Sequence, residues 1–149
     1  MDDAPSQTTL ELFLRTHLAL RPGVRCLDAG CGSGAALSTL HNLVRPDGLV
    51  VGVDIDREVL EAADNAVWAL PHVVLVQADA QRLPCPAGTF DASYASLLLL
   101  WSPQPADTIA ELVRVTRPGG RLALVDVDLS TMRFEPALPL WPRFASALT

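Results

Sequence analysis

The sequence predicts an α/β fold, a doubly wound parallel sheet of the Rossmann-like kind, and three observations predict it. An apolar run, Val24 to Leu27, leads into the glycine-rich stretch Leu27 to Gly34, LDAGCGSG, after which Ala36, Leu37, Leu40 and Val44 recur at helical spacing. That is a strand, a tight turn and a helix. Leu49 to Val53 and Val73 to Val76 are continuous apolar runs, as expected of strands covered by helices on both faces. Helical patterns and short Pro/Gly turns alternate with these runs, the arrangement of βαβ units.

In chain order, residues 1 to 6 read as a weakly held terminus. From Gln7 the positions Leu10, Phe13, Leu14, Leu18 and Leu20 give an amphipathic helix, ended by Arg21-Pro22-Gly23, with His17 facing solvent. After the first strand, Gly30, Gly32 and Gly34 permit positive φ and let a ligand lie against the backbone. The free N–H groups of the next helix point at that ligand. Arg45-Pro46-Asp47-Gly48 then turns the chain into the second strand. This strand ends at Asp54, twenty residues after Gly34, where an acid can accept both ribose hydroxyls of a nucleoside. Asp56 is better placed to cap the helix that follows, Arg57 to Leu70, whose stripe is Val59, Leu60, Ala63, Val67 and Leu70 and which Pro71 stops.

Val73 to Val76 is expected as a third buried strand and Thr89 to Ser96 as a fourth, with Leu97 to Trp101 as wall and core. Pro103 and Pro105 open a helix with the stripe Ile109, Leu112, Val113 and Val115 or Thr116. Arg117-Pro118-Gly119-Gly120 turns the chain into a fifth strand, Arg121 to Val127. His41 and His72 read as structural.

The 149 residues suit one domain, and half of them are hydrophobic. No apolar run approaches the roughly 18 residues of a membrane span, and the acidic, polar opening MDDAPSQTT does not read as a secretory leader. A cytoplasmic location is the default expectation. The net charge of −6, with no lysine and scattered arginines, opposes a nucleic-acid partner. Cys26, Cys31 and Cys85 form no C-x-x-C pair, so neither a disulfide framework nor a metal site is expected.

Gly30, Gly32 and Ala35 also satisfy the dinucleotide pattern G-x-G-x-x-G/A. Asp28, two positions before the first glycine, would repel a pyrophosphate and attract a cation. S-adenosylmethionine carries a sulfonium and an ammonium and no phosphate. LDAGCGSG resembles the first motif of the class I S-adenosylmethionine-dependent methyltransferases. Leu83 to Asp91, LPCPAGTFD, is similar to a segment of the ubiquinone/menaquinone-biosynthesis type, and ELVRVTRPGGRLAL is a further landmark of the family. The resemblance covers Gly23 to Asp128. It implies S-adenosylmethionine as cofactor and S-adenosylhomocysteine as product. Asp28, Ala29, Gly30, Gly32 and Gly34 would form the first loop, Asp54 would hold the ribose, and Ile55 would touch the adenine face. Asp79 would accept from the adenine amino group, the Ala80 N–H would donate to the ring, and Ala95, with Tyr94 and Ser96, would line the methionine moiety. The N-terminal helix covers the cofactor or the entrance in such proteins; simple packing on the sheet is an equal reading.

The family adds an antiparallel strand pair after the fifth strand. Leu129 to Thr149 contain Pro136, Pro139 and Pro142 and cannot supply it. The expected organisation is therefore one methyltransferase domain, with residues 1–22 as N-terminal helix, 23–128 as core and 129–149 as tail, the last with a short helix near Trp141 to Leu148. Such a chain is C-terminally truncated or pairs with a partner, and a homodimer would cover the open sheet edge. Methyl transfer from a sulfonium needs alignment and exclusion of water more than a catalytic residue. Asp126 and Asp128, at strand spacing on one face, are candidates for a general base or for a solvated strand end. Three functions are compatible with these residues: methyl transfer to a small-molecule substrate, an inactive cofactor-binding module, and an NAD(P)-dependent reductase, the last opposed by Asp28.

Overall fold

The computed structural model describes residues 9–128. Ten elements follow one another: α1 (Thr9–Leu18), β1 (Arg25–Ala29), α2 (Leu37–Val44), β2 (Leu49–Asp54), α3 (Arg57–Val67), β3 (Val73–Gln77), β4 (Phe90–Ser96), a 3₁₀ turn (Leu99–Trp101), α4 (Pro105–Val115) and β5 (Thr116–Val125). The strands form one sheet in the order β3-β2-β1-β4-β5, and every pairing is parallel. Strand order reverses at β1, which lies between β2 and β4. Ligands of open α/β sheets sit in the crevice outside the carboxyl ends of the strands at such a reversal.

Strand alternation divides the core in two. Cys26, Val50, Ala92 and Tyr94 face one side, where α1, α2 and α3 supply Leu14, Leu40, Leu60 and Val67. Leu27, Ala29, Val51, Val53 and Ala95 face the other, where α4 supplies Leu112 and Val115 and the β3–β4 connection supplies Leu83. Each fully buried aliphatic side chain contributes about 1.5–3 kcal/mol. At the amino ends of the strands, Asp91 accepts from Arg25 N at 2.8 Å and from Arg117 Nε at 2.6 Å, tying β1, β4 and β5 together.

Several expectations are corrected. The β3 strand is an edge strand, not a buried one: Val74 is 46% exposed, because among the described residues nothing lies beyond it in the sheet. Helix α3 stops at Val67, three residues before Leu70, although Asp56 caps it as expected by accepting from Glu58 N at 2.8 Å. In α4 the exposed Val113 drops out of the stripe and Thr108 takes a buried place. The fifth strand begins at Thr116 and runs through Arg117-Pro118-Gly119-Gly120, absorbing the turn as a register irregularity against Phe90 and Ala92. It ends at Val125, so strand spacing does not extend to Asp126 and Asp128. Of Leu97 to Trp101, expected as wall and core, only Leu98 packs against the core, while Leu97 is 48% and Trp101 80% exposed. No antiparallel pair follows β5 among the described residues, and the expectations for residues 1–8 and 129–149 fall outside them. No helix among the described residues is long and apolar enough to cross a membrane.

Candidate functional site

The turn after β1 is suspended from the end of β2. Gly30 N and Cys31 N both donate to Val53 O, at 2.7 and 2.9 Å, and Gly32 N donates to Asp54 Oδ2 at 2.9 Å. Three successive N–H groups are thus used within the protein. Gly30 has φ +70°, a conformation strained for other residues, and a Cβ there would stand 2.9 Å from Leu98 Cδ1, which would have to shift. Asp54 Oδ1 accepts from Asp56 N at 3.0 Å, which joins the glycine turn to the start of α3 through one carboxylate.

Above this turn lies a crevice of about 320 Å³. Gly30, Val53, Asp54 and Ile55 form its floor, and Ala78 to Gln81, after β3, form one lip. Leu97, Leu98 and Trp101 to Pro103, after β4, form the other lip, with Thr108 of α4 at the end. Among the described residues, none that lines the crevice is basic. Asp79 Oδ1 accepts from Gln81 N at 2.8 Å, which shapes the first lip. Gln81 Nε2 reaches Ser102 Oγ at 3.4 Å, and Ser102 Oγ meets Thr108 Oγ1 at 2.7 Å, so a polar chain bridges the two lips.

Asp28 lies behind the turn, 2% exposed, opposite the side-chain-free Gly52 of β2. Its Oδ2 has no hydrogen-bond partner. Burial, and then the negative charge of Asp54, push its carboxyl up to about 7. A positive charge brought close would favour the ionised form. The surroundings therefore suit a cationic, phosphate-free ligand with hydroxyls for Asp54 and a ring face for Ile55.

A family profile described as "Methyltransferase domain" matches residues 27–124. The chain belongs to this family. The methyltransferase domain is 34% identical over 127 residues to a demethylmenaquinone methyltransferase of Symbiobacterium thermophilum, covering 83% of this chain and 50% of that protein. It is 38% identical over 122 residues to the 27-O-demethylrifamycin SV methyltransferase of Amycolatopsis mediterranei, covering 80% of this chain and 44% of that one. Among solved structures, a SAM-dependent methyltransferase from Aquifex aeolicus superposes with a TM-score of 0.77 at 25% identity, over 95% of this chain and 79% of that one. The chain spans about half the length of these two curated relatives.

Within the methyltransferase domain, five of the ten residues expected to hold the cofactor line the crevice: Gly30, Asp54, Ile55, Asp79 and Ala80. Gly32 acts through its backbone N–H on Asp54, and Gly34 packs against α2 and α3 near Leu37 and Ala63. Ala29 and Ala95 are register partners buried on the α4 face, so strand alternation turns their side chains into the core. Asp126 lies outside the crevice lining: its Oδ2 accepts from Leu99 N and Leu100 N. Asp128 is exposed beyond β5. Leu97, Leu98 and Trp101, from the stretch expected as wall and core, line the crevice, and so do Gln81, Ser102 and Thr108, which no sequence pattern marks. The available signal was the length of the apolar run ending at Trp101, which reads equally as core.

Burial pushes the Cys31 thiol up to about 12 and raises that of Cys26 as well, and neither cysteine lines the crevice.

Proposed function

We propose that this methyltransferase domain binds S-adenosylmethionine across the carboxyl ends of β1, β2 and β3 and passes its methyl group to a small-molecule acceptor, leaving S-adenosylhomocysteine. One observation carries the reading: among the described residues the crevice offers carboxylates and no basic side chain, with a glycine turn whose Gly30, Cys31 and Gly32 N–H groups already donate within the protein. A dinucleotide would bring a pyrophosphate to a place without free donors from these three groups and with two acids nearby. That opposes the NAD(P)-dependent reductase.

The residues present fit the cofactor. Each Asp54 oxygen accepts one N–H and retains a lone pair for a ribose hydroxyl. Asp79 keeps Oδ2 for an amino group while Oδ1 holds Gln81 N. Ile55 on the floor and Leu98 on the lip offer apolar faces to the crevice, and the unpartnered Asp28 oxygen stands behind the turn, where an approaching cation would draw the carboxyl into its ionised form. When bound, the sulfonium supplies an activated methyl and its own neutral leaving group. The protein's share is then alignment and dryness, to which Leu97, Leu98 and Trp101 contribute an apolar lip. The two relatives are named for demethylmenaquinone and 27-O-demethylrifamycin SV, and an acceptor of that small-molecule class is taken for this chain.

Calorimetric titration with S-adenosylmethionine, S-adenosylhomocysteine and NADH tests the cofactor. Binding of the first two and not of NADH is expected, and NADH binding alone overturns the reading. Incubation with a methyl-labelled donor and a panel of hydroxylated aromatic acceptors then tests the transfer; cofactor binding with no labelled product across the panel and its nitrogen and carbon analogues would leave an inactive binding module.

A further inference from the structure

In the outer lip of the crevice, residues 97–103, Leu98 packs against the α4-side core, whereas Leu97, Trp101 and Leu100, the last 39% exposed, remain open to solvent. Polar bonds hold the segment on either side of Leu98. Leu97 N donates to Val125 O at 2.8 Å, and Leu99 N and Leu100 N both donate to Asp126 Oδ2, at 2.8 and 3.2 Å. The other carboxylate oxygen accepts from Val127 N at 3.0 Å, which orients the group at the end of β5. The far end of the segment is tied separately, by Ser102 to Thr108. Between these ties Leu98 occupies the space that a Cβ on Gly30 would need, its Cδ1 lying 2.9 Å from that position, so the lip lies against the glycine turn.

The geometry points to Asp126 as a positioning residue: through the 3₁₀ turn at Leu99–Trp101 it sets Leu98 and Trp101 over the glycine turn and thereby the affinity and alignment of the ligand held there. This role differs from that of a general base, because Oδ2 is committed to two main-chain donors and the residue is absent from the crevice lining. Charge-assisted acceptance from two consecutive N–H groups is a strong local constraint, and consecutive donors at the start of a helical turn are the groups that otherwise go unsatisfied. The identity of the ligand rests on the reading under Proposed function; the constraint on the lip does not.

Two variants of the full chain separate the possibilities. Asp126→Asn removes the charge and any base but keeps a carbonyl oxygen for the two N–H groups, whereas Asp126→Ala removes the acceptor as well. In the ligand-free protein, amide hydrogen exchange at Leu99 and Leu100 is expected to speed up at least about tenfold in Asp126→Ala and to stay within about threefold of the wild type in Asp126→Asn. The dissociation constant for S-adenosylhomocysteine is expected to rise about tenfold in Asp126→Ala and to change less than about threefold in Asp126→Asn. Thermal midpoints serve as the control, and Asp126 is exposed enough for both variants to fold. Unchanged exchange in Asp126→Ala overturns the inference whatever the ligand. Loss of turnover by about a hundredfold or more in Asp126→Asn with binding intact also overturns it, in favour of a base. If the wild type fails to bind S-adenosylhomocysteine while the exchange response appears, the cofactor reading falls and the constraint on the lip stands.

Discussion

Asp28 is a carboxyl group placed where water does not reach it, with one oxygen unpartnered. Between its ordinary value near 4 and the value of about 7 in the fold, the native state holds a proton that the unfolded chain has released. Its contribution to stability is therefore full below pH 4, declines as pH rises through this window, and is gone above pH 7. The ligand-free chain is expected to melt at lower temperature at pH 8 than at pH 5, and Asp28→Asn to remove that part of the slope; melting curves at a series of pH values measure both. The difference is on the order of a few kcal/mol. A cationic ligand has the opposite dependence and is expected to bind more tightly at pH 8 than at pH 6. At Gly30, the positive φ and the proximity of Leu98 predict that Gly30→Ala loses at least about tenfold in S-adenosylhomocysteine affinity, by titration, while circular dichroism shows the fold retained. Asp28 and Gly30 were legible in the sequence because spacing from a glycine turn marks them. The protonation of Asp28 was not, since it depends on which helices cover β1 and on Gly52 beside it.

Among the elements, those whose periodic stripe is buried were read correctly. In α2, Leu37, Leu40 and Val44 are buried as their spacing requires. That helix also buries His41, whose two ring nitrogens lack partners. An orphaned polar ring in a core costs stability, and His41→Leu is expected to raise the unfolding free energy by about 1 kcal/mol, measured by denaturant titration. In β2, a Cβ on Gly52 would stand 2.9 Å from Leu75 Cδ2 and 3.1 Å from both Cys31 Sγ and Leu37 Cδ2. Gly52→Ala should therefore overpack the contact between the sheet and α2 and cost about 1–3 kcal/mol in the same titration. The misread elements share a cause: an apolar run does not say whether anything covers it. Val74 of β3 and Leu97 to Trp101 are apolar in sequence and open in the fold. The first is at a sheet edge, and the second forms a lip that packs on the core through Leu98 and is tied at its turn by Asp126.

At the scale of the whole molecule, strand order brings together residues that are far apart in the chain. The reversal at β1 sets Gly30, Asp54, Asp79 and Trp101 around one opening. The connection between β3 and β4 is latched to α4: Leu83 N donates to Glu111 Oε1 at 2.7 Å and Arg114 Nη2 donates to Leu83 O at 3.2 Å. Arg114 holds the Glu111 carboxyl below its ordinary value, so the latch is complete at neutral pH and weakens as the medium turns acid. Filling the opening is expected to stabilise the entire domain: S-adenosylhomocysteine at a hundredfold its dissociation constant adds about 2.7 kcal/mol and raises the melting temperature by several degrees, whereas NADH leaves it unchanged. The fold class and the acids at the strand ends could be read from pattern and spacing. The polar bridge between the lips could not, because Gln81, Ser102 and Thr108 meet only through the tertiary arrangement.

The glycine turn hangs from the carbonyl oxygen of Val53, an atom every amino acid possesses. The hydrogen bonds of that anchor therefore do not depend on which side chain stands at the position, although Val53 is itself buried and a bulkier residue would strain the core. Gly30 is constrained through its own backbone instead. Random mutagenesis under selection for activity would accordingly recover conservative apolar variants at position 53 more often than any variant at position 30.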